Sequence, residues 1–329
     1  MKKESTIIIK KCLGCGSVMQ NEDNSKVGYV PYEHIEEADY CQRCFKLKNY
    51  NEKVMNEVLV DENEVIDIVN KSNKYAFFLV DFLNISNETI NTYKKISIDK
   101  TLVISKSDLI FRDIKLDKVK ENLKNIYNLD DNIIFLSSKK NYNINTIFAI
   151  LKKNNKKSSY ILGYTNAGKS TLINSLKNDN QILESSVPNT TLDFINIKIN
   201  DFEIIDTPGF NLKNTFYKDK EYELIKKMNP VYFVSPMNYQ VKDNQIFLIE
   251  DRLFLKGFDN NNITFYISNL IRIKKIYKDE DIIYKEIDID DNSDVVISSL
   301  GFINVKKKCK LLVNEELFDL INIRKSIFN

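Results

Sequence analysis

Residues 160–176 read YILGYTNAGKSTLINSL, and this stretch decides the fold. Tyr160, Ile161 and Leu162 form an apolar run of the kind a buried strand needs. Gly163–Ser170, GYTNAGKS, matches G-x-x-x-x-G-K-[ST], and Leu172, Ile173 and Leu176 follow at helical spacing. Strand, glycine-bounded loop and helix in that order make a phosphate-binding loop, because amides at a helix N-terminus face an anion. Gly163, Asn166, Ala167, Gly168 and Thr171 are therefore expected around the phosphates. Lys169 is expected to reach the β- and γ-phosphates, and the Ser170 hydroxyl to bind magnesium. The expected fold class is α/β, a doubly wound sheet.

A second string fits the same site. Phe202–Ile205 is strand-like and runs into Asp206-Thr-Pro-Gly209. A carboxylate at a strand end suits water-mediated magnesium binding by Asp206, and the Gly209 amide is placed to sense a γ-phosphate. Between the two strings, PNTTLD (188–193) offers Thr191, with Thr190 as the other possibility, as a hydroxyl that reaches magnesium only when the γ-phosphate is present. This is switch logic, an order–disorder change tied to one phosphate.

Guanine recognition needs a base reader, and no Lys-x-Asp follows Gly209. Upstream, Thr101–Ile104 leads into Ser105-Lys106-Ser107-Asp108. The Asp108 carboxylate pairs with guanine N1–H and its exocyclic amine, and the Lys106 stem packs over the base. A second strand, 132–136, ends in Ser137-Ser138-Lys139, where a backbone N–H can meet the guanine carbonyl. Lys115-Leu-Asp117 also matches Lys-x-Asp, but lies outside any apolar strand. The base readers thus precede the phosphate loops. All functional loops leave the carboxyl ends of the strands in a doubly wound sheet, so cyclic reordering preserves the site.

The chain has 329 residues, net charge +2 from 48 Lys+Arg against 46 Asp+Glu, a single histidine (His34) and eight glycines. One histidine excludes chemistry that needs several, such as an HExxH zinc protease. Global charge implies neither a nucleic-acid nor a membrane partner. MKKESTIIIKKC is too short in apolar content for a signal-peptide core, and no stretch approaches about 20 apolar residues. A cytoplasmic protein is expected. Cys12-Leu-Gly-Cys15 and Cys41-Gln-Arg-Cys44 are two CxxC pairs, which in that compartment predict a closed four-cysteine zinc site. A thioredoxin-like redox pair would need a βαβ context and only one CxxC. So small a segment would take its folding energy from the metal.

Two knuckles, then base readers, then phosphate loops: the chain resembles circularly permuted GTPases of the YqeH family. CLGCGSVMQNEDNSKVGYVP and YCQRCFKLKNYNE are similar to that family's zinc segment, and GYTNAGKST, PNTTLD and DTPGF to its phosphate and switch motifs. DVVISSLG, 294–301, resembles a motif of its C-terminal domain. The resemblance implies an N-terminal four-cysteine zinc finger (1–55), a circularly permuted GTPase domain (56–215) and a C-terminal RNA- or ribosome-binding domain (216–329). It implies GTP hydrolysis assisting small ribosomal subunit assembly, with rRNA or ribosomal proteins as partners. It also implies potassium stimulation through Asn166, so that Asn166, Lys169 and Thr191 carry catalysis.

Three residues depart from common patterns, one of them Ser138, which stands where Ala is common but keeps the backbone contact. Ser105 replaces the family's usual Asn, so the amide that braces the phosphate loop is expected to be lost. Phe210 stands where many GTPases carry a water-orienting Gln, and predicts slow hydrolysis without a cation or partner. An RNA-binding scaffold with a vestigial nucleotide site, or a P-loop ATPase or small-molecule kinase, are the competing readings. Beyond residue 215 strand-like segments suggest a mixed α+β domain, with basic runs at 272–275 and 306–310.

Overall fold

The computed structural model describes residues 10, 12, 17–23, 26, 28–35, 37–42, 61–110, 114–178, 182–183, 194–218, 221–230, 233–278 and 282–328. They fall in two compact units, Met1–Val60 and Asp61–Asn329.

In the first unit Cys12, Met19, Val30 and Cys41 form a small buried cluster. The Cys41 amide donates to Cys12 Sγ at 3.1 Å, so one cysteine of each pair meets the other across 29 positions. Cys15 and Cys44 lie outside the described residues. His34 is exposed in a short 3-10 turn, Tyr32–His34.

The second unit begins with α1 (Glu62–Asn70), capped by the Asp61 carboxylate, which accepts from the Asn63 amide. Next come β1 (Tyr75–Asp81), α2 (Asn87–Lys94), β2 (Lys100–Ser105), α3 (Leu116–Tyr127), β3 (Asn132–Phe135), α4 (Thr146–Lys153) and β4 (Ser158–Gly163). After the phosphate loop come α5 (Lys169–Asn178), β5 (Ile182–Leu183), β6 (Ile195–Ile199) and β7 (Phe202–Asp206). Among the described residues these strands form one sheet in the order β3-β2-β1-β4-β7-β6-β5. The pairs β3–β2, β2–β1, β1–β4 and β4–β7 are parallel, whereas β6 runs antiparallel to β7. YAFFLVD of β1 is buried at all seven positions, the continuous apolar run of a parallel strand covered on both faces. The phosphate-loop strand β4 sits between β1, from before it in the chain, and β7, from after it. This is the permuted order expected, and the crevice at the β1/β4 switch point opens where the loops emerge.

The chain then passes through α6 (Tyr222–Met228) into ten strands. These are β8 (Met237–Gln240), β9 (Ile246–Ile249), β10 (Leu253–Lys256), β11 (Asn262–Ile267), β12 (Ile273–Ile276), β13 (Tyr284–Ile289), β14 (Ser293–Ile297), β15 (Gly301–Val305), β16 (Cys309–Asn314) and β17 (Ile321–Lys325). They make two five-stranded antiparallel sheets, β12-β9-β10-β16-β13 and β17-β14-β15-β11-β8. Both contribute to one apolar core, which starts at Phe216 and includes Phe247, Phe265, Val295 and Val313. Within 216–329, α6 sends Leu224 and Met228 into this core, and among the described residues after it only strands and the 3-10 turn Glu315–Leu320 occur. Alternating burial drives this, as in β11, and so do tight turns such as Glu250-Asp251, both at positive φ, which fold β9 onto β10. Arg272 and Lys274 pair with Asp251 along the edge strand β12. That basic run is therefore an ion-paired, solvated edge.

The two cores are stitched together within this unit. Phe82 packs at 6.1 Å and 6.0 Å from the rings of Phe302 and Phe328. Asn87 and Asn122 donate to the carbonyls of Ile323 and Ile327, each at 3.1 Å.

Candidate functional site

The phosphate loop leaves β4 at Gly163, whose φ of 143° a Cβ would not tolerate, since it would lie 2.3 Å from the Leu79 carbonyl. Asn166 and Gly168 also take positive φ, 63° and 91°, and curl the loop into an arc ahead of α5. Lys169 is buried in that arc, its Nζ 2.8 Å from the Gly163 carbonyl and 3.1 Å from that of Tyr164. Ser170 and Thr171 are exposed on the first turn of α5, and Ala167 is buried beneath the loop.

Tyr164 turns away from the arc. Its hydroxyl bonds Thr92 Oγ1 at 2.7 Å, and its ring packs against Phe78 and Phe210. Phe210 is fully buried there, and its backbone zips the second phosphate string onto the first. The Phe210 amide donates to the Gly163 carbonyl at 3.1 Å, and the Thr165 amide donates to the Phe210 carbonyl at 2.7 Å. A Cβ on Gly209 would stand 3.1 Å from Lys169 Nζ and 3.0 Å from Thr165, so this corner admits only glycine without displacement. Phe210 is thus a clamp between the two loops, a role the sequence reading missed.

Asp206 ends β7 beside Lys169. Its Oδ1 is buried without a hydrogen-bond partner. An orphaned carboxylate oxygen beside the phosphate-loop lysine, which the Ser170 hydroxyl directly follows in the chain, is a hard oxygen donor of the kind a water-carrying dication takes, so Asp206 and Ser170 fit magnesium in chemical type. Burial pushes the Asp206 carboxyl up to about 6, with the Lys169 ammonium partly opposing. Because the folded-state pKa lies above the ordinary 3.8, the stabilising contribution is complete below about pH 4 and is lost as pH rises through 6. It amounts to roughly 3 kcal/mol at most. In metal-free buffer, Asp206→Asn should flatten this part of the urea-unfolding profile between pH 4 and 7. A variant profile as steep as the wild type's refutes the assignment.

The residues expected to read the base converge on the same end of the sheet. Ser105 closes β2, and its buried hydroxyl donates to the Ala167 carbonyl at 2.6 Å. The expected loss of the phosphate-loop brace is corrected: the serine oxygen spans the gap that an asparagine amide would fill. Lys106 takes a left-handed φ of 55° and starts the 3-10 turn Ser107–Leu109 carrying Asp108. Ser137 Oγ donates to Asp108 Oδ1 at 2.6 Å and also accepts from the Lys140 amide at 3.1 Å, so the second base loop orients the carboxylate. The Ser138 carbonyl accepts from Ser175 of α5 at 3.0 Å, and Lys139 is exposed. Lys115 and Asp117, the other Lys-x-Asp, lie at the start of α3. Thr190 and Thr191 fall outside the described residues.

Among the described residues, no group of three or more His, Cys, Asp or Glu side chains gathers to hold a metal, and no helix is long and apolar enough to cross a membrane.

A phosphate loop, an orphaned buried carboxylate and an upstream Lys-x-Asp turn braced onto that loop are the arrangement of a P-loop GTPase with its motifs in permuted order. Residues 158–266 match the family model described as a 50S ribosome-binding GTPase, a match that begins at the first residue of β4 and leaves the base readers upstream. The chain is similar to YqeH-type circularly permuted GTPases. YqeH of Bacillus subtilis (strain 168), described as an uncharacterized protein, is 28% identical over 253 residues, 71% of this chain and 68% of YqeH. GTPase Der of Karelsulcia muelleri (strain GWSS) is 27% identical over 63% of this chain, which spans only 44% of that protein. A solved structure of YjeQ from Thermotoga maritima is 26% identical over 43% of this chain and 49% of that one, with a TM-score of 0.32. The permuted topology rests on the strand order itself.

Proposed function

We propose that the chain is a GTP-hydrolysing switch that assists assembly of the small ribosomal subunit. Its cysteine segment, holding zinc through Cys12, Cys15, Cys41 and Cys44, and its C-terminal domain would contact rRNA or ribosomal proteins. The observation that carries the nucleotide reading is the Ser105–Ala167 bond, which couples base reader to phosphate loop. The small-subunit part draws on the YqeH likeness alone, since the matching family's description names ribosome binding at the 50S, the large subunit.

In this reading Asp108 accepts from the guanine N1–H and amino group, and Lys106 lays its stem on the base. The backbone of Ser137-Ser138-Lys139 faces the guanine carbonyl. Lys169 and the amides of 166–171 hold the phosphates, and the Gly209 amide reports the γ-phosphate. Ser170, Asp206 and Thr191 would hold magnesium, and Asn166 potassium. Charge developing on the phosphate oxygens during cleavage would be neutralised by these cations. Phe210, buried as a clamp, orients no water, which supports slow hydrolysis and dependence on the second cation.

The test is hydrolysis of GTP and ATP measured in potassium and in sodium. GTP should be cleaved in preference to ATP and faster in potassium, with the potassium gain lost in Asn166→Ala. Equal rates for both nucleotides would revive the ATPase reading, equal rates in both salts would remove the potassium role, and no hydrolysis would leave the scaffold.

A further inference from the structure

We infer that Asp81 is a positioning residue for base recognition, holding the Lys106 ammonium so that the lysine stem stays over the purine. This deepens the guanine-site reading and rests on it.

Asp81 is the last residue of β1, and the parallel register sets it opposite Ser105, beside the base-reading turn. Its side chain is 7% exposed, whereas that of Lys106 is 28% exposed. Asp81 Oδ1 accepts from the Leu83 amide at 2.9 Å. Oδ2 accepts from Asn84 Nδ2 at 2.8 Å and from Lys106 Nζ at 3.4 Å. One carboxylate therefore caps the 3-10 turn Phe82–Asn84 and anchors the lysine. The turn is itself held: Arg324 of β17 donates from Nη1 to the Ile85 carbonyl just beyond it. The anchor is accordingly rigid, backed by strand register on one side and by the C-terminal sheet on the other.

A lysine stem has four rotatable methylenes, and Lys106 starts from a left-handed backbone that lysine rarely adopts. Left to itself, its ammonium would sample many positions, most of them with the stem off the base. Asp81, Lys106, Asn166 and Ala167 line one cleft, so a carboxylate fixed at its wall selects rotamers that run along it. The pairing also satisfies a nearly buried charge that would otherwise face a polyanionic ligand, keeping local repulsion low.

Asp81→Asn keeps the shape and an acceptor for the Leu83 amide while removing the charge. We expect GDP affinity, read by fluorescent-nucleotide titration of the full chain, to fall about tenfold. The same substitution made in a Lys106→Met background should cost nothing further, a non-additivity that a merely structural role would not produce. Unchanged GDP affinity in Asp81→Asn, or an equal loss in both backgrounds, overturns the inference. Wild-type protein showing no preference for GDP over ADP would bring down the guanine reading and this one together. Wild-type preference with an indifferent Asp81→Asn removes only this one. If Asp81→Asn does not fold, nitrogen-15 NMR of the wild-type lysines replaces it: a protected Lys106 ammonium signal supports the pairing, and its absence overturns it.

Discussion

Asp294→Ala should lower the unfolding free energy of the full chain by about 3–5 kcal/mol, because it leaves Arg324 as a buried cation without its counter-charge. Asp294 opens the DVVISSLG motif, and it is fully buried. Antiparallel register places it opposite Asn304 on β15 and Arg324 on β17, so three polar side chains form a row across three strands. Asn304 Nδ2 donates to Asp294 Oδ1 at 2.8 Å, while Arg324 Nε at 3.1 Å and the Ile327 amide at 3.2 Å donate to Oδ2. The Arg324 guanidinium lies 4.7 Å from the Phe302 ring and reaches the Ile85 carbonyl in the GTPase part. Urea unfolding measures the loss. Replacing both members, Asp294→Leu with Arg324→Met, should recover most of it, since paired apolar residues need no solvation. A loss below about 1 kcal/mol for the single variant would mean that water or a shifted side chain satisfies Arg324.

Asp108→Asn should weaken guanine-nucleotide binding at least about 100-fold, since it disrupts two hydrogen bonds to a charged acceptor, each worth about 1.5–3 kcal/mol. The direction of the loss follows from Ser137. Its hydroxyl is 2.6 Å from Asp108 Oδ1 and would keep the new amide's oxygen on that side. The amide nitrogen would then face the base, donor against donor. Xanthine carries a carbonyl where guanine carries the amino group, so xanthine nucleotides should gain affinity in the same variant. Parallel titrations with GDP and XDP decide the matter. Undiminished GDP binding would remove Asp108 from the base site.

How legible each feature was depends on how local its cause is. GYTNAGKS could be read because every requirement of a phosphate loop falls within about ten consecutive residues. Positive φ at Gly163 and Gly168, the lysine and the hydroxyl all belong to one strand–turn–helix. Ser105-Lys-Ser-Asp108 was legible only through the strand before it, which also separated it from Lys115-Leu-Asp117. The C-terminal third was less legible because its strands are short. Their pattern becomes clear only once antiparallel partners are known. Gly257 had no assigned role in the chain. In the fold its φ is 100°, and a Cβ there would sit 2.0 Å from the Lys310 carbonyl of a strand 53 positions on.

The order of motifs along the chain thus sufficed for the permuted GTPase class and for the set of candidate nucleotide-site residues. Each of those residues is dictated by its own few neighbours. The supports of the site were decided only by tertiary structure. Ser105 braces a loop 62 positions away, Asp81 reaches a lysine 25 positions away, and Arg324 reaches back 239 positions to Ile85. Strand register and domain packing make these contacts, and a linear pattern of residue types does not encode which distant carbonyl or carboxylate a side chain will meet.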